Sequence, residues 1–236
     1  MKKIFFFLVL SVSLAYSQNN DEHFSGFSMV SLTYKIDKSW MLYAELQERS
    51  IEDFSKPDYY EIKGGAGYNF NKNNQIFIGL GRYANYTNSS ISKEEFRLWL
   101  QYIYSLNIDK LKIDNRFRAE KRFFHNPVTD ANTNDERYRY RITATYPLNN
   151  DKLDPKTFYV NAFDEVFVGP NDDLLKRNRI FGGFGYVFTD YLSTNLGYMW
   201  QRELSPTTRN LHFLYLGFNF TLSKHSKEAD HLNVAD

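Results

Sequence analysis

The chain is organised by alternation. At Tyr60, Ile62, Gly64, Ala66, Tyr68 and Phe70 every position is apolar, aromatic or small, while Tyr59, Glu61, Lys63 and Asn69 fill the positions between. A period of two belongs to a strand whose faces meet two different environments. The pattern recurs and predicts eleven strands. The first six cover residues 24–35, 40–49, 59–70, 75–86, 94–107 and 111–124; the rest cover 136–148, 157–168, 177–188, 192–203 and 209–222. Most of these runs exceed the five or six residues usual in soluble sheets. They suit the ~9–11 tilted residues that carry a strand across a bilayer. No helical period stands out.

The connections sort by length. Tight turns fall at residues 36–39, 71–74, 108–110 and 189–191, with a longer one at 149–156. Between them lie segments 50–58, 87–93, 125–135, 169–176 and 204–208, mostly longer and rich in Asp, Asn, Ser and Pro. Short turns at one end and longer loops at the other are the habit of transmembrane barrels. Eleven strands break the even count of bacterial single-chain barrels. The expectation is therefore an all-β, antiparallel, up-and-down transmembrane barrel of about twelve strands, or else one whose segment 18–23 returns through the lumen or along the wall.

The two faces then acquire different chemistry. Phe96, Leu98, Leu100, Tyr102, Tyr104 and Leu106 alternate with Glu95, Arg97, Trp99, Gln101, Ile103 and Ser105. Tyr138, Tyr140, Ile142, Ala144 and Tyr146 alternate with Arg137, Arg139, Arg141, Thr143 and Thr145. An Arg or Lys facing lipid at mid-bilayer costs ~2–4 kcal/mol, so three arginines on one strand are expected to point inward. A soluble sandwich or lipocalin-like barrel would alternate too, with its apolar face lining the core.

The densest inward charge is Lys112, Asp114, Arg116, Arg118, Glu120 and Arg122. With Arg97, Arg137, Arg139, Arg141 and Arg179 as further bases, and Glu45, Glu61, Glu95 and Glu165 as acids, a charged lumen is expected. Two arrangements are open. The charges pair and fill a narrow barrel, or Arg116, Arg118, Arg137, Arg139 and Arg141 form a basic stripe that attracts anions, as charged rings do in pores. A barrel of ten to twelve strands leaves little room beyond its own side chains.

Composition narrows the compartment. Lys2 and Lys3, the apolar stretch 4–14 and Ala15-Tyr16-Ser17 have the layout of a secretory signal peptide covering residues 1–17. A stub at 18–23, a barrel at 24–222 and a polar tail at 223–236, expected to be disordered, complete the division. Phe218 and Phe220 end the last strand, and the tail follows where an assembly-signal aromatic is expected. Removing Lys2 and Lys3 from the 29 basic residues leaves 27 against 28 acidic ones, which argues against nucleic acid as a partner. The absence of cysteine rules out disulfides, thiolate metal sites and cysteine nucleophiles. Expected partners are outer-membrane lipid and an envelope protein meeting the loops at 50–58, 125–135 and 169–176; the barrel itself is expected to be monomeric.

Catalytic candidates are thin. A Ser-His-acid arrangement needs a base within hydrogen-bond reach of the serine. Ser89, Ser90 and Ser92 could approach His125, with Asp130 and Asp135 nearby, only if their loops fold together. His212 shares its face with Leu214, Leu216, Phe218 and Phe220. Asp130, Asp135 and Glu136, or Asp172 and Asp173, offer oxygens to calcium without EF-hand spacing. Gly79-x-Gly81 and Gly182-Gly183-x-Gly185 lack the following helix of a phosphate cradle and suit crowded strand positions. No cofactor, metal site or catalytic residue is expected.

Several strings share an order and spacing: YKIDKSW at 34–40, NRFRAEKRFF at 115–124, RYRYR at 137–141 and FDEVF at 163–167, then NRIFGGFGY at 178–186, GYMWQ at 197–201 and LHFLYLGFNF at 211–220. In this order they resemble the outer-membrane family known as domain of unknown function 2490, over residues 24–222. The resemblance implies a secreted, β-rich outer-membrane protein and carries no catalytic residue with it. Its Arg- and Glu-bearing strings correspond here to Arg116, Arg118, Glu120, Arg122, Glu165 and Arg179.

Overall fold

The computed structural model describes residues 24–51, 54–170, 174–205 and 208–224, and among them it contains strands and no helix. The segments expected to be signal peptide and stub, and nearly all of the expected tail, lie outside the described residues. The first four strands are β1 (Phe24–Lys35), β2 (Trp40–Ile51), β3 (Lys56–Asn71) and β4 (Asn74–Thr87). The middle of the chain forms β5 (Ser90–Ile108), β6 (Leu111–Asn126), β7 (Ala131–Pro147) and β8 (Thr157–Val168). It closes with β9 (Leu175–Thr189), β10 (Leu192–Glu203) and β11 (Arg209–Ser223).

Each strand pairs antiparallel with the next, and β1 closes the barrel by pairing parallel with β11, from Phe24↔His212 to Lys35↔Ser223. The strand number is eleven, not twelve, and the sheet is mixed rather than wholly antiparallel. The reason is directional. In an up-and-down chain with an odd strand count, the first and last strands run the same way, so their ladder must be parallel. Closure removes the free edge that an open sheet would expose. Across the seam, the Ser31 hydroxyl donates to Asn219 Oδ1 at 2.8 Å.

The longer loops predicted at one end are largely strand. β5 starts at Ser90, β6 runs on to Asn126 and β7 begins at Ala131. Backbone pairing continues past the point where alternation stops, because the ladder is made by backbone groups and needs no period in the side chains. His125, expected in a loop, therefore stands in β6. The β4–β5 hairpin closes on Asn88 and Ser89, with φ of 51° and 62°. Two left-handed residues in a row make the primed turn that matches strand twist. At the opposite end, Asp37 Oδ1 accepts the backbone N–H groups of Ser39 and Trp40, both at 2.7 Å.

The faces are inverted relative to a soluble barrel. Leu100, Ile78, Phe117, Ile142, Phe184, Leu196 and Leu214 point outward and are exposed, while Glu45, Glu61, Lys63, Glu120 and Glu165 are buried inside. Aromatic rings edge this outer belt at the tight-turn end: Trp40 on Tyr68, Tyr68 on Phe70, Phe158 on Tyr186 and Tyr186 on Phe188. Tyr60–Tyr86 and Phe96–Phe123 lie toward the other end. Outward polar groups also gather toward that end as pairs: Arg82 with Glu94, Lys121 with Glu136 at 3.1 Å, and Asp164 with Asn178 at 2.6 Å.

Inside, two apolar clusters line separate parts of the wall. One joins Phe27, Met29, Phe181, Met199, Phe213 and Tyr215; the other joins Met41, Tyr43, Phe77, Trp99 and Ile103. Glycine makes room for the rings. A Cβ on Gly79 would stand 2.1 Å from the Trp99 ring of the facing strand, and one on Gly185 2.0 Å from Tyr159. Each ring occupies space that a side chain at the facing glycine would fill, as the glycine-rich strings suggested.

Candidate functional site

Arginine dominates the rest of the interior, carried by β5, β6, β7 and β9. The register sets like charges opposite one another: Arg97 faces Arg122, Arg118 faces Arg139 and Arg116 faces Arg141. Directly opposed like charges destabilise a sheet. Each of these three pairs is bridged by a carboxylate.

Glu95 accepts from Arg97 Nε at 2.6 Å and takes Arg122 bidentately at 2.8 and 2.9 Å. Glu120 binds Arg137 at 2.6 Å and Arg139 at 3.0 Å, with Arg97 at 3.6 Å and Arg118 at 3.8 Å. Glu165 accepts from Arg116 at 2.6 Å and from Arg139 and Arg141 at 2.8 Å, with Arg179 at 4.0 Å. The Glu120 and Glu165 side chains are wholly buried. Planar guanidinium forks suit such shared, bidentate carboxylates, and lysine would not replace them.

Aromatic faces complete the packing. Arg137, Arg139, Arg177 and Arg179 all lie within 5.2 Å of the centroid of Phe167. Arg97 stacks on Tyr83 at 3.6 Å, Arg118 on Trp99 at 4.7 Å and Arg141 on Phe163 at 4.1 Å. Such contacts gain strength when desolvated. Below the network, a 40 Å³ cavity lies among Asn161, Asn195, Thr143 and Asp114. Above it, a 70 Å³ space sits among the arginines, and a wider cavity of 580 Å³ opens toward the loop end.

Every residue expected in the charged lumen is inward-facing: Arg97, Asp114, Arg116, Arg118, Glu120, Arg122, Arg137, Arg139, Arg141, Glu165 and Arg179. Ten of them join one cluster. Asp114 stands apart nearer the tight turns, with Lys112 at 3.0 Å and Ser105 at 2.5 Å. Sequence reasoning missed Arg177, Glu203, Arg49 and the Phe167 hub. Arg177 binds Glu203 at 2.7 Å, and Gln201 links Arg179 at 2.6 Å to Glu203 at 2.5 Å. The signal was present, since Arg177 shares the parity of Arg179, and Phe167 that of Glu165.

Among the described residues no hydrogen bond joins Ser89, Ser90 or Ser92 to His125. Ser92 Oγ lies 3.0 Å from Thr87 Oγ1 and donates to the Asn85 carbonyl at 3.3 Å. His125 Nδ1 lies 3.3 Å from Asn132 Oδ1 and 3.9 Å from Asp130. His212 Nδ1 meets the Tyr198 hydroxyl at 2.5 Å on the outer wall. Asp135 faces Arg122 at 3.5 Å and Glu136 faces Lys121; Asp172 and Asp173 lie outside the described residues.

A closed β-barrel, apolar outside and filled by arginine, glutamate and aromatic rings, is the class that fold and interior define. The chain belongs to the family described as protein of unknown function DUF2490, whose model matches residues 24–212. Among solved structures it is similar to the NanC porin in a rhombohedral crystal form, with a TM-score of 0.52 and 11% identity, covering 84% of this chain and 98% of that one. At that identity the likeness is one of fold. Comparison with curated proteins finds no match.

Proposed function

We propose that this chain is a non-enzymatic, monomeric barrel of the outer membrane whose lumen is closed at mid-height by its own side chains. Residues 1–17 direct export, and lipid contacts the apolar belt. The inversion of faces supports the membrane: a soluble barrel would leave that continuous apolar surface in water. The observation that carries closure is the set of three bridged arginine pairs packed between the two apolar clusters. The cavities found in the middle of the lumen measure 40 and 70 Å³, which is little room for a solute path.

The experiment combines two measurements on protein folded in detergent. Gel mobility that changes on boiling, with no conductance steps in a planar bilayer, is the expected result. Discrete steps would refute closure while leaving the barrel intact.

A second arrangement is a narrow anion-preferring path along Arg116, Arg118, Arg137, Arg139 and Arg141. The excess of guanidinium over carboxylate favours it. It requires anion-selective steps that vanish in an Arg137→Ala, Arg139→Ala, Arg141→Ala triple variant.

A further inference from the structure

The 580 Å³ cavity at the loop end is a chamber above the packed network, whose Arg122, Arg137 and Phe167 form part of its wall. Its volume falls in the ~300–1,000 Å³ range of small-molecule sites. Six basic side chains line it: Lys93, Arg122, Arg137, Lys176, Arg177 and Arg209. Against them stand two carboxylates, Asp135 and Glu203, both already engaged. Asp135 lies 3.5 Å from Arg122, and Glu203 2.7 Å from Arg177. Arg122 and Arg137 also pair with Glu95 and Glu120 from the network beneath, but each of those carboxylates is shared with further arginines, so basic groups outnumber acids in a concavity whose low-dielectric walls concentrate field lines and draw in counter-ions.

The floor adds donors. Arg49 is buried and stacks on Tyr59 at 3.9 Å; its nearest carboxylate, Asp58, is 4.0 Å away. Among the described residues no acceptor meets Arg49 Nε. Arg137 and Arg177 border both this floor space and the chamber above it. Lys93 is held over the Phe124 ring at 3.9 Å, which fixes its ammonium at the wall. A buried donor without an acceptor is costly, and an oxyanion supplies one.

We infer that this chamber binds a water-borne solute carrying two or more phosphate or carboxylate groups, held by Lys93, Arg122, Arg137 and Arg177. The inference rests on the membrane barrel proposed above and names an occupant for its outer mouth. The strands encircle the chamber, so the ligand enters from water along the barrel axis rather than from the lipid around it.

The test is calorimetric titration of sodium pyrophosphate into the full chain, folded in a phosphate-free non-ionic detergent. One-to-one binding that weakens with added salt is expected. Arg177→Gln combined with Lys93→Gln should weaken it at least ten-fold, while Lys72→Gln, at the opposite mouth, leaves it unchanged. No binding at millimolar pyrophosphate to protein with heat-modifiable mobility would overturn the site. Equal weakening by Lys72→Gln would overturn it too, by reducing the effect to net charge. Competition by anionic phospholipid added to the micelles would assign the charge cluster to lipid headgroups and overturn the water-borne occupant. Loss of heat-modifiable mobility in the parent would strike the barrel itself, a separate failure read on a separate gel.

Discussion

Replacing Glu165 by Gln removes one charge and almost no volume from the centre of the barrel. Three guanidinium groups lie within 2.8 Å of that carboxylate and a fourth at 4.0 Å. At an effective dielectric of about 20, a single pair at 4 Å attracts by ~4 kcal/mol, and desolvation offsets much of this. Removing one partner of a buried pair leaves the others uncompensated, at a typical net cost of ~3–5 kcal/mol. Arg116 and Arg141 sit directly opposite one another, so their repulsion is then unbridged. Were the lumen wet, the loss would fall to the ~0–1 kcal/mol of an exposed pair. Equilibrium unfolding in urea, followed by tryptophan fluorescence in detergent micelles, separates these regimes. Glu136→Gln is the internal control, because its Lys121 partner lies on the outer wall with both side chains well exposed. A Glu165→Gln variant within 1 kcal/mol of the parent would refute the packed, dry network and with it the closed lumen.

Four further outcomes follow from the same geometry. Leu100→Arg, in the middle of β5 on the exposed belt, should cost ~2–4 kcal/mol when the barrel sits in lipid; at a water-facing surface it would stay within ~0.5 kcal/mol. Gly79→Ala drives a methyl group into the Trp99 ring and should destabilise by ~1–3 kcal/mol in the same urea assay, a loss only partly relieved in Trp99→Ala because the backbone oxygen of Gly64 also stands 2.7 Å from the new methyl. In a chain without cysteine, Ser31→Cys with Asn219→Cys should oxidise to a bridge that shifts gel mobility, because β1 and β11 are neighbours; persistently free thiols would refute the parallel closure. Asp151 in the β7–β8 turn is fully exposed, and Lys110, 2.6 Å away, holds its carboxyl below the usual range. Whatever that pair contributes is present above the unfolded Asp pKa and is lost as pH falls through the depressed one; carboxyl NMR should show the titration return to the ordinary range in Lys110→Met.

The sequence by itself determined the faces. Period two gives each side chain one of two sides, and the cost of a charge in lipid assigns Arg137, Arg139 and Arg141 to the inner one. The same parity placed the partners of the charged lumen on one surface, and the strand boundaries of β1, β8 and β10 coincide with the alternating runs. Three things needed the tertiary structure. Closure is a property of the whole ring, and only the pairing of β1 with β11 turns an odd count into a parallel seam. The strand extensions of β5, β6 and β7 are mostly polar on both faces, so no periodicity marks them. Which carboxylate meets which guanidinium depends on register and stagger around the barrel. Arg116 and Glu165 are 49 residues apart, and they meet because β7 lies between their strands and sets both registers. Alternation is local and legible along the chain; the balance of charge across the lumen is made only when the ring closes.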